Sequence, residues 1–465
     1  MKVFQKIHSQ RGQAAAVFIV LFIAVVFFLT LNISKIQPQY FILFLLGVIL
    51  FVVAFLNTNF AIGILIFSML LSPQLKLGEL ADRAVVLRVD DVFLFVIFIA
   101  WLAKLAVFKE LNLLKRTVLN TPIFTYVLVC ILSTAIVLIQ GQGQVQRSFF
   151  YIVKYFEYFM VYFLVVNNIE NMAQVKTFIF LMIATCFLVS IYGLYSHFAL
   201  GMRATAPFEG AEGEANTLAG YLVLMIPIML CLFFYTESQL GRVGLAGVLI
   251  AALGALTFTL SRSGWLSFAF MYFALILISP RFKPFLIFSF VIILTLAPVL
   301  SPKVVKERVS STFEGGRTFR IGGKKINIDE SGTARLDAWK VGFSNLSKKP
   351  VFGHGIPFGS VTDNQYTRVM TEVGIVGLAA FFFLLLRIFH VIKYSITVSR
   401  ENNFIQGLSV GLLAGFFGLL AHCLSAATFI LIRIMEPFWF LMAIIVVLPE
   451  LIKRAEAPPA DFSGT

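Results

Sequence analysis

Blocks of apolar residues alternate with shorter polar segments along most of the chain. The blocks are about 16 to 22 residues long, which is the length that an α-helix needs to cross a hydrocarbon layer of about 30 Å. Because the third block is short and several ends are indistinct, we expect about 12 to 14 spanning helices in an all-α polytopic membrane protein. The predicted helices are 14–31, 39–56, 58–72, 91–108, 121–140, 149–166, 177–198, 217–235, 243–260, 264–279, 285–300, 371–391, 404–422 and 433–452.

The composition supports this interpretation and limits the partners. Hydrophobic residues make up 59% of the chain and charged residues 13%, whereas a soluble domain has about 25% charged residues. The net charge of +14 does not indicate nucleic acid, because the lysines and arginines are spread between the apolar blocks, where membrane insertion and lipid headgroups account for them. The four cysteines lack metal-ligand spacing and predict no disulfide framework; they are Cys130, Cys186, Cys231 and Cys423.

Positive charge also predicts the orientation in the membrane. With a cytoplasmic N-terminus, most short basic segments fall on the inner side, so the positive-inside rule places both termini and the tail 453–465 in the cytoplasm. The first block, 14–31, has a basic prelude but no small-residue cleavage site after it. We therefore expect it to be a retained helix rather than a removed signal peptide.

One polar segment is too long to be a simple connection between helices. Residues 301–370 separate about eleven predicted helices in 1–300 from about three in 371–452, and the predicted orientation makes this segment a large external loop. Within it, apolar side chains recur at near-helical spacing and predict an amphipathic helix near 333–347. These side chains are Leu336, Trp339, Phe343 and Leu346.

Three arginines are predicted to face the same external side. Arg203 lies in the loop before the eighth block, Arg262 at the outer end of the ninth, and Arg335 at the start of the amphipathic helix. A single arginine at this level is often an interfacial anchor, but several guanidinium groups together bind phosphate oxygens in pairs. A lipid-linked diphosphate suits such a site better than a free nucleotide, which is not normally supplied outside the cell.

Six motifs follow one another in order over roughly residues 195–445: "RATAPF", "EANTLAGYLVLMIP", "LSRSGWL", "ARLDAWKVG", "PVFGHGIPFG" and "DNQYTRVMTEVGIVGL". This ordered set resembles the O-antigen ligase/polymerase superfamily, which includes Wzy-type polymerases and WaaL-like ligases. The resemblance implies a GT-C-like membrane glycosyltransferase that uses a glycan on undecaprenyl diphosphate at the outer face of the bacterial cytoplasmic (inner) membrane. It also implies that Arg203 and Arg262 hold the diphosphate. We predict no cofactor, because the arginines can stabilise the leaving diphosphate without a divalent ion.

The chain departs from the family at the expected base. Where the resemblance implies a histidine in a His-Asn pair that activates the acceptor, this sequence has Asp363 and Asn364, which favours a polymerase over a ligase. Asp363 at a helix N-terminus should have a lowered pKa and be a weak base, or be a helix cap alone. His354, between two glycines, is the alternative base, or else a solvated loop residue.

Other polar groups near the external side are candidates to line the cavity or to be structural. The adjacent Asp90 and Asp91 point about 100° apart on a helix, so they are expected to cap it or to meet Arg88, and we predict no metal site. Lys154 and Glu157 have the spacing of an ion pair on one helix face, and Arg433 and Glu436 repeat that spacing. The further cavity candidates are Asn216, Trp339, Asn364, His422, Arg433 and Glu436.

The predicted function is polymerisation of an O-antigen or exopolysaccharide by transfer of a glycan from undecaprenyl diphosphate to a lipid-linked repeat unit. A ligase-like transfer to another acceptor is the alternative. Secondary transport of an anionic solute is a third hypothesis, weakened by the long external loop and the few charges near the middle of the spans. The expected partners are the lipid-linked oligosaccharide, membrane lipids, a chain-length regulator and a flippase.

Overall fold

The structure is a computed structural model. It describes residues 38–80, 83–108, 114–209, 214–279, 281–314, 317–321, 324–358 and 364–456. The predicted helix 14–31 and residues 457–465 of the predicted tail lie outside the described residues.

The described part of the chain contains fifteen α-helices and two short antiparallel hairpins. The hairpins are β1 Gln74–Leu80 with β2 Arg83–Arg88, and β3 Arg317–Ile321 with β4 Lys324–Ile328. The helices are α1 Pro38–Leu56, α2 Thr58–Leu71, α3 Val89–Phe108, α4 Asn120–Ile139, α5 Val145–Asn168, α6 Met172–Phe198, α7 Ala215–Tyr235, α8 Gln239–Phe258, α9 Arg262–Ile278, α10 Lys283–Leu300, α11 Lys303–Ser310, α12 Glu330–Lys348, α13 Gln365–Val398, α14 Asn403–His422 and α15 Ile432–Glu456.

Eight of the described helices are long and apolar enough to cross a membrane: α4 to α8 and α13 to α15. Helices α1, α2, α9 and α10 are also apolar over shorter lengths. In hydrocarbon a helix is favoured because it satisfies its backbone N–H and C=O groups internally. The prediction of an all-α polytopic membrane protein is confirmed. The predicted blocks from 39–56 onward each fall on one helix with ends that agree to within about five residues, except that α13 extends further than 371–391 at both ends.

The tightest helix pair in the bundle is α14 against α7. Glycines at 407, 411 and 415 recur every fourth residue on one face of α14, and small residues at this spacing let two backbones approach closely. A Cβ atom at Gly411 would lie 2.5 Å from the Cα of Ile228. This close packing aligns the end of α14 at His422 with the beginning of α7.

Helix α13 is broken near its start by the backbone of Gly374, which has φ 66° and ψ −160°. This conformation is essentially restricted to glycine. The break leaves backbone groups free to bond the segment before it: Ile375 N donates to Pro350 O at 2.8 Å, and Gly355 N donates to Glu372 O at 2.9 Å. Residues 350–355 are thereby fixed against the beginning of α13.

The polar segments that follow α6, α8, α10 and α14 meet at one end of the bundle, which we call the loop end. It consists of residues 199–209, 259–261, 301–314, 317–321, 324–358 and 423–431 of the described chain. Helix α12 lies here and covers the segment 333–347. The loop end therefore collects residues that are far apart in the sequence. It includes the predicted site residues Arg203, Arg335, Trp339 and His354, and Arg262 and His422 directly adjoin it.

We expect Gly411→Ala to lower the free energy of unfolding by about 1–3 kcal/mol, because the added methyl group overlaps the backbone of α7. Thermal unfolding of the purified protein in detergent measures the effect. Gly247→Ala in α8 is the matched control, since no atom lies within 4 Å of its added Cβ. Equal unfolding temperatures for the two variants would contradict the packing of α14 against α7.

Candidate functional site

Three arginines surround the short turn between α8 and α9. Arg203 Nε donates to the carbonyl oxygen of Thr259 at 2.8 Å, and Arg308 Nε donates to that of Leu260 at 3.4 Å. Arg262 follows the turn directly as the first residue of α9. Among the described residues, no hydrogen bond is found for the terminal guanidinium nitrogens of Arg203 and Arg308, so these nitrogens can bond a ligand. We call these three residues the arginine cluster.

The arginine cluster carries more positive charge than its surroundings balance. The pKa of Arg203 is lowered by burial and then by the charges of Arg308 and Arg262. Among the described residues, an ion pair is formed by Arg262 with Asp329, and none is found for Arg203 or Arg308. Three guanidinium groups thus face one carboxylate, and the excess favours a ligand with negatively charged oxygens.

Arg262 connects helix α9 to the external helix α12. Its guanidinium donates to Asp329, to the Ser331 hydroxyl at 2.7 Å and to the Thr312 hydroxyl at 2.9 Å. Asp329 is also the N-cap of α12, since its carboxylate accepts from Gly332 N at 3.0 Å. The half-buried Arg262 is therefore held by residues of the loop, at an end of α9 where the helix dipole disfavours a cation.

The pKa of Asp329 is lowered despite its partial burial, because hydrogen bonds from Arg262 and the amide of Gly332 stabilise the carboxylate. A group with a lowered pKa contributes stability above its unfolded-state pKa and loses it as the pH falls through the folded-state value. The contact between Asp329 and Arg262 consequently persists at neutral pH. It is lost only in acid, below the ordinary pKa of about 3.9 for aspartate.

Helix α12 is fixed along its length across the loop end. In its second turn, Arg335 lies within electrostatic range of His422. Further along, the Trp339 ring stacks on Tyr366 with the centroids 6.5 Å apart. A Cβ at Gly342 would lie 2.9 Å from the Cβ of Thr367, so α12 touches the start of α13 closely. Helix α12 thus forms one wall of the site that contains the arginine cluster.

Behind Arg262 lies a hydrogen-bonded group of polar side chains from three helices. The Oδ1 atom of Asn216, near the start of α7, is bonded to the hydroxyls of Ser261 and Ser263 and to His422 Nε2 at 3.2 Å. His422 Nδ1 lies 2.8 Å from the Thr428 hydroxyl, and the imidazole is fully buried. We call these five residues the Asn216 network. It brackets Arg262, because Ser261 and Ser263 are its two neighbours in the chain.

Arg433 holds the loop that carries Arg203. Its guanidinium donates to the carbonyl oxygens of Pro207 at 2.8 Å and Leu70 at 3.1 Å, and its side chain is buried. It also lies 3.8 Å from Glu209. Burial raises the pKa of Glu209 to about 7, although Arg433 and backbone amides oppose the shift. Arg433 thus positions the loop through backbone carbonyls and is not exposed to a ligand.

Two ion pairs suggested by spacing within one helix are replaced by pairs between elements. Lys154 pairs with Asp91 at 3.6 Å rather than with Glu157, and Arg433 pairs with Glu209 rather than with Glu436. Glu436 is fully buried, with both oxygens lacking a hydrogen-bond partner. Tertiary packing brings a second chain segment closer than the neighbouring turn, which spacing within a helix does not reveal. The expected contact of Asp90 with Arg88 is present.

Of the two candidate bases, His354 alone lies among the described residues, and its described contacts do not include the arginine cluster. Asp363 lies outside the described residues. The His354 ring packs on Phe358 with centroids 4.2 Å apart and lies 3.3 Å from Thr371 O, beside the break in α13. Burial lowers the pKa of His354, as do the charges of Lys349 and Lys348, although a hydrogen bond with Thr371 raises it. These contacts connect His354 to α13 rather than to α9.

Asn364 is a buried helix cap. Its Oδ1 accepts from the amides of Tyr366 and Thr367, at 2.9 and 3.1 Å, while Nδ2 donates to Leu424 O at 2.7 Å. The side chain is therefore fully engaged in joining α13 to the segment after α14. Among the described residues, no group of three or more His, Cys, Asp or Glu side chains is arranged to hold a metal ion.

The sequence did not single out Arg308 or Asp329. Arg308 lies in a short helix of mixed composition directly after the eleventh predicted span, and this position at the membrane boundary is the one signal that could have identified it. Asp329 precedes the amphipathic segment at an N-cap position, yet its pairing with Arg262 joins positions 67 residues apart. Such long-range pairs depend on how the loop folds back over the helices.

We expect Asp329→Asn to loosen the N-terminal turn of α12, because the neutral amide loses the ion pair with Arg262. Amide hydrogen exchange over residues 330–335 should become faster by a factor on the order of ten or more. Asp337→Asn on the same helix is the control, since Asp337 pairs with Arg317 at an exposed site. Unchanged exchange in Asp329→Asn would show that Arg262 does not anchor α12.

Comparison with known proteins adds to this geometry. A family model described as O-Antigen ligase matches residues 247–382, which include Arg262, Arg308, Asp329 and Arg335. No curated protein matches the chain. Arg203 and Asn216 lie outside the matched segment but contact it, Arg203 at Thr259 and Asn216 at Ser261 and Ser263, and His422 is bonded to Asn216. Residues 247–382 thus resemble an O-antigen ligase domain, and this match supports membership of the chain in the O-antigen ligase/polymerase superfamily.

Proposed function

We propose that this protein is a polysaccharide polymerase. It transfers a growing O-antigen or exopolysaccharide chain from undecaprenyl diphosphate to a lipid-linked repeat unit. The observation that carries the proposal is the arginine cluster, in which Arg203, Arg262 and Arg308 surround one turn with Asp329 as their carboxylate partner. A diphosphate that links a sugar to a lipid has one negative charge on each phosphate, which matches the excess of positive charge.

The arrangement suits a reaction in which diphosphate is the leaving group. As the bond between the sugar and the phosphate breaks, negative charge grows on the departing oxygen, and fixed guanidinium groups stabilise that charge more than they stabilise the ground state. Because Arg203 and Arg308 are anchored by backbone carbonyls, they are oriented before the substrate binds. Their terminal nitrogens contact the phosphates, while Arg262 exchanges its bond with Asp329 for one with the ligand.

The acceptor hydroxyl must lose a proton as it attacks the sugar. Asp363 and His354 remain the two proposed bases. Both belong to the segment between α12 and α13, so the acceptor would approach from this side while the donor diphosphate lies at the turn before α9. A His354 imidazole with a lowered pKa is neutral at physiological pH and can accept a proton.

We further propose that the loop end faces the periplasm or the cell exterior, with both termini in the cytoplasm. The distribution of basic residues supports this orientation. Undecaprenyl-diphosphate-linked oligosaccharides, delivered across the membrane by a flippase, would then reach the arginine cluster from the outer leaflet. The Asp363–Asn364 pair in place of His-Asn supports a polymerase over a ligase, and a chain-length regulator would be a further partner.

Purified protein in lipid vesicles with lipid-linked repeat units tests the assignment. We expect products longer than one repeat unit on undecaprenyl diphosphate, separated by gel electrophoresis. In cells, deletion should cause single repeat units to accumulate on lipid. Transfer of glycan only to a different lipid acceptor would favour the ligase alternative, and anion flux without glycan transfer would contradict both enzymatic assignments.

We expect Arg262→Ala and Arg203→Ala each to reduce polymer formation by about 100-fold or more, because each removes a fixed donor from the developing charge. Lysine at either position should restore activity only in part, since an ammonium group cannot make the paired contacts of guanidinium. Chain-length analysis of the polysaccharide, with membrane insertion checked by immunoblotting, measures the outcome.

Arg317→Ala is the matched control, because Arg317 is an exposed arginine of the same loop that pairs with Asp337. It should leave polymer formation within about twofold of wild type, as expected for a surface ion pair. Full activity in Arg262→Ala or Arg203→Ala would refute the diphosphate-binding role of the arginine cluster.

A further inference from the structure

We propose that the side-chain amide group of Asn216 is an additional hydrogen-bond donor to the phosphate bound at Arg262, and that His422 positions it. This inference rests on the proposed function and deepens it by adding a neutral donor to the charged ones. Asn216 and His422 both lie outside the family-matched segment 247–382. They reach the site because α7 and α14 pack tightly and end beside α9.

The orientation of the Asn216 amide is fixed by its oxygen. Oδ1 accepts from the Ser261 hydroxyl at 2.8 Å, from the Ser263 hydroxyl, and from His422 Nε2 at 3.2 Å. Rotation of the amide by 180° would set only two N–H hydrogens against these three partners, and each partner that stayed bonded would have to accept instead of donate. The carbonyl end of the side chain therefore points into the Asn216 network, and the NH₂ end points away from it.

His422 is held so that it donates to Asn216. Since Asn216 Oδ1 is an acceptor, the neutral imidazole carries its proton on Nε2, and Nδ1 then accepts from the Thr428 hydroxyl at 2.8 Å. The ring is fully buried, so water does not compete for either nitrogen. His422 acts through Asn216 and is a positioning residue.

The Asn216 NH₂ group has no acceptor among the described residues, and the residue is only half-buried. Its oxygen is bonded to both chain neighbours of Arg262, so the NH₂ group lies close to the first turn of α9. The NH₂ group offers two N–H donors in a fixed direction, beside guanidinium groups in a partly buried site. Such donors bind an anionic oxygen more strongly than they bind a sugar hydroxyl. The ligand chemistry is thus a phosphate oxygen of the lipid diphosphate.

The test is binding of farnesyl diphosphate to the full chain in nanodiscs, with farnesol as the uncharged comparison. Asn216→Asp keeps the acceptor for Ser263 and His422 but replaces the NH₂ donors by a charged oxygen. We expect the dissociation constant for farnesyl diphosphate to rise roughly 10- to 100-fold, as for loss of a hydrogen bond to a charged group. Asn171→Asp is the matched control, because Asn171 caps the opposite end of α6 and aspartate caps equally well.

A second pair of variants tests the role of His422. Glutamine can place an N–H donor near the position of Nε2, so His422→Gln should retain most of the affinity, whereas His422→Ala should lose about as much as Asn216→Asp. Combining His422→Ala with Asn216→Asp should weaken binding little further, because His422 acts only by orienting the NH₂ group that Asn216→Asp removes. Equal affinities for His422→Gln and His422→Ala would overturn the positioning role, even if Asn216→Asp were not recovered folded.

Arg262→Ala separates this inference from the proposed function. If Arg262→Ala weakens binding of farnesyl diphosphate and Asn216→Asp leaves it unchanged, the inference fails while the arginine cluster stands. If Arg262→Ala also binds farnesyl diphosphate like wild type, the diphosphate site itself is refuted. Equal binding of farnesol and farnesyl diphosphate by wild type would likewise contradict both.

Discussion

Mutual repulsion among three guanidinium groups is the constraint on which the loop end depends. The protein places Arg203, Arg262 and Arg308 around one short turn and compensates them with backbone carbonyls and a single carboxylate. This balance is incomplete without a ligand, since carbonyl dipoles do not neutralise full charges. The same contacts determine where α11, α12 and the loop before α7 lie. The charge arrangement that favours an anion therefore also organises the loop around it.

The helices were predictable from hydropathy because each must satisfy its own backbone in the membrane, whatever it packs against. The arginines of the predicted site were predictable in part, since Arg203 and Arg262 lie in short motifs that resemble a known family. Their partners were not. Arg262 with Asp329 and Arg433 with Glu209 join distant segments, and the pairings suggested for Lys154 and Arg433 within their helices were wrong. Tertiary contacts of this kind have no local pattern in the sequence.

Helix α12 both contacts the arginine cluster through its N-cap and packs against the start of α13. Its N-cap, Asp329, bonds Arg262 and would compete with the proposed ligand for it. Its second turn lies within electrostatic range of His422, and its later turns pack on the start of α13. Binding of an anion at Arg262 would therefore first weaken the contact between Arg262 and the N-cap residue Asp329. The break at Gly374 fixes residues 350–355 to α13 independently, so the segment with His354 need not follow the motion of that cap.

The contacts of Arg433 limit how the amino-terminal part of the chain can change in evolution. It ties the last helix at once to the end of α2, through Leu70 O, and to the loop of Arg203, through Pro207 O. The amino-terminal third, which lies outside the matched segment, is thereby joined by direct contacts to the loop end. Swapping that third between relatives would be tolerated only when the transplanted α2 still presents a carbonyl to this guanidinium, so the two parts must evolve as one unit.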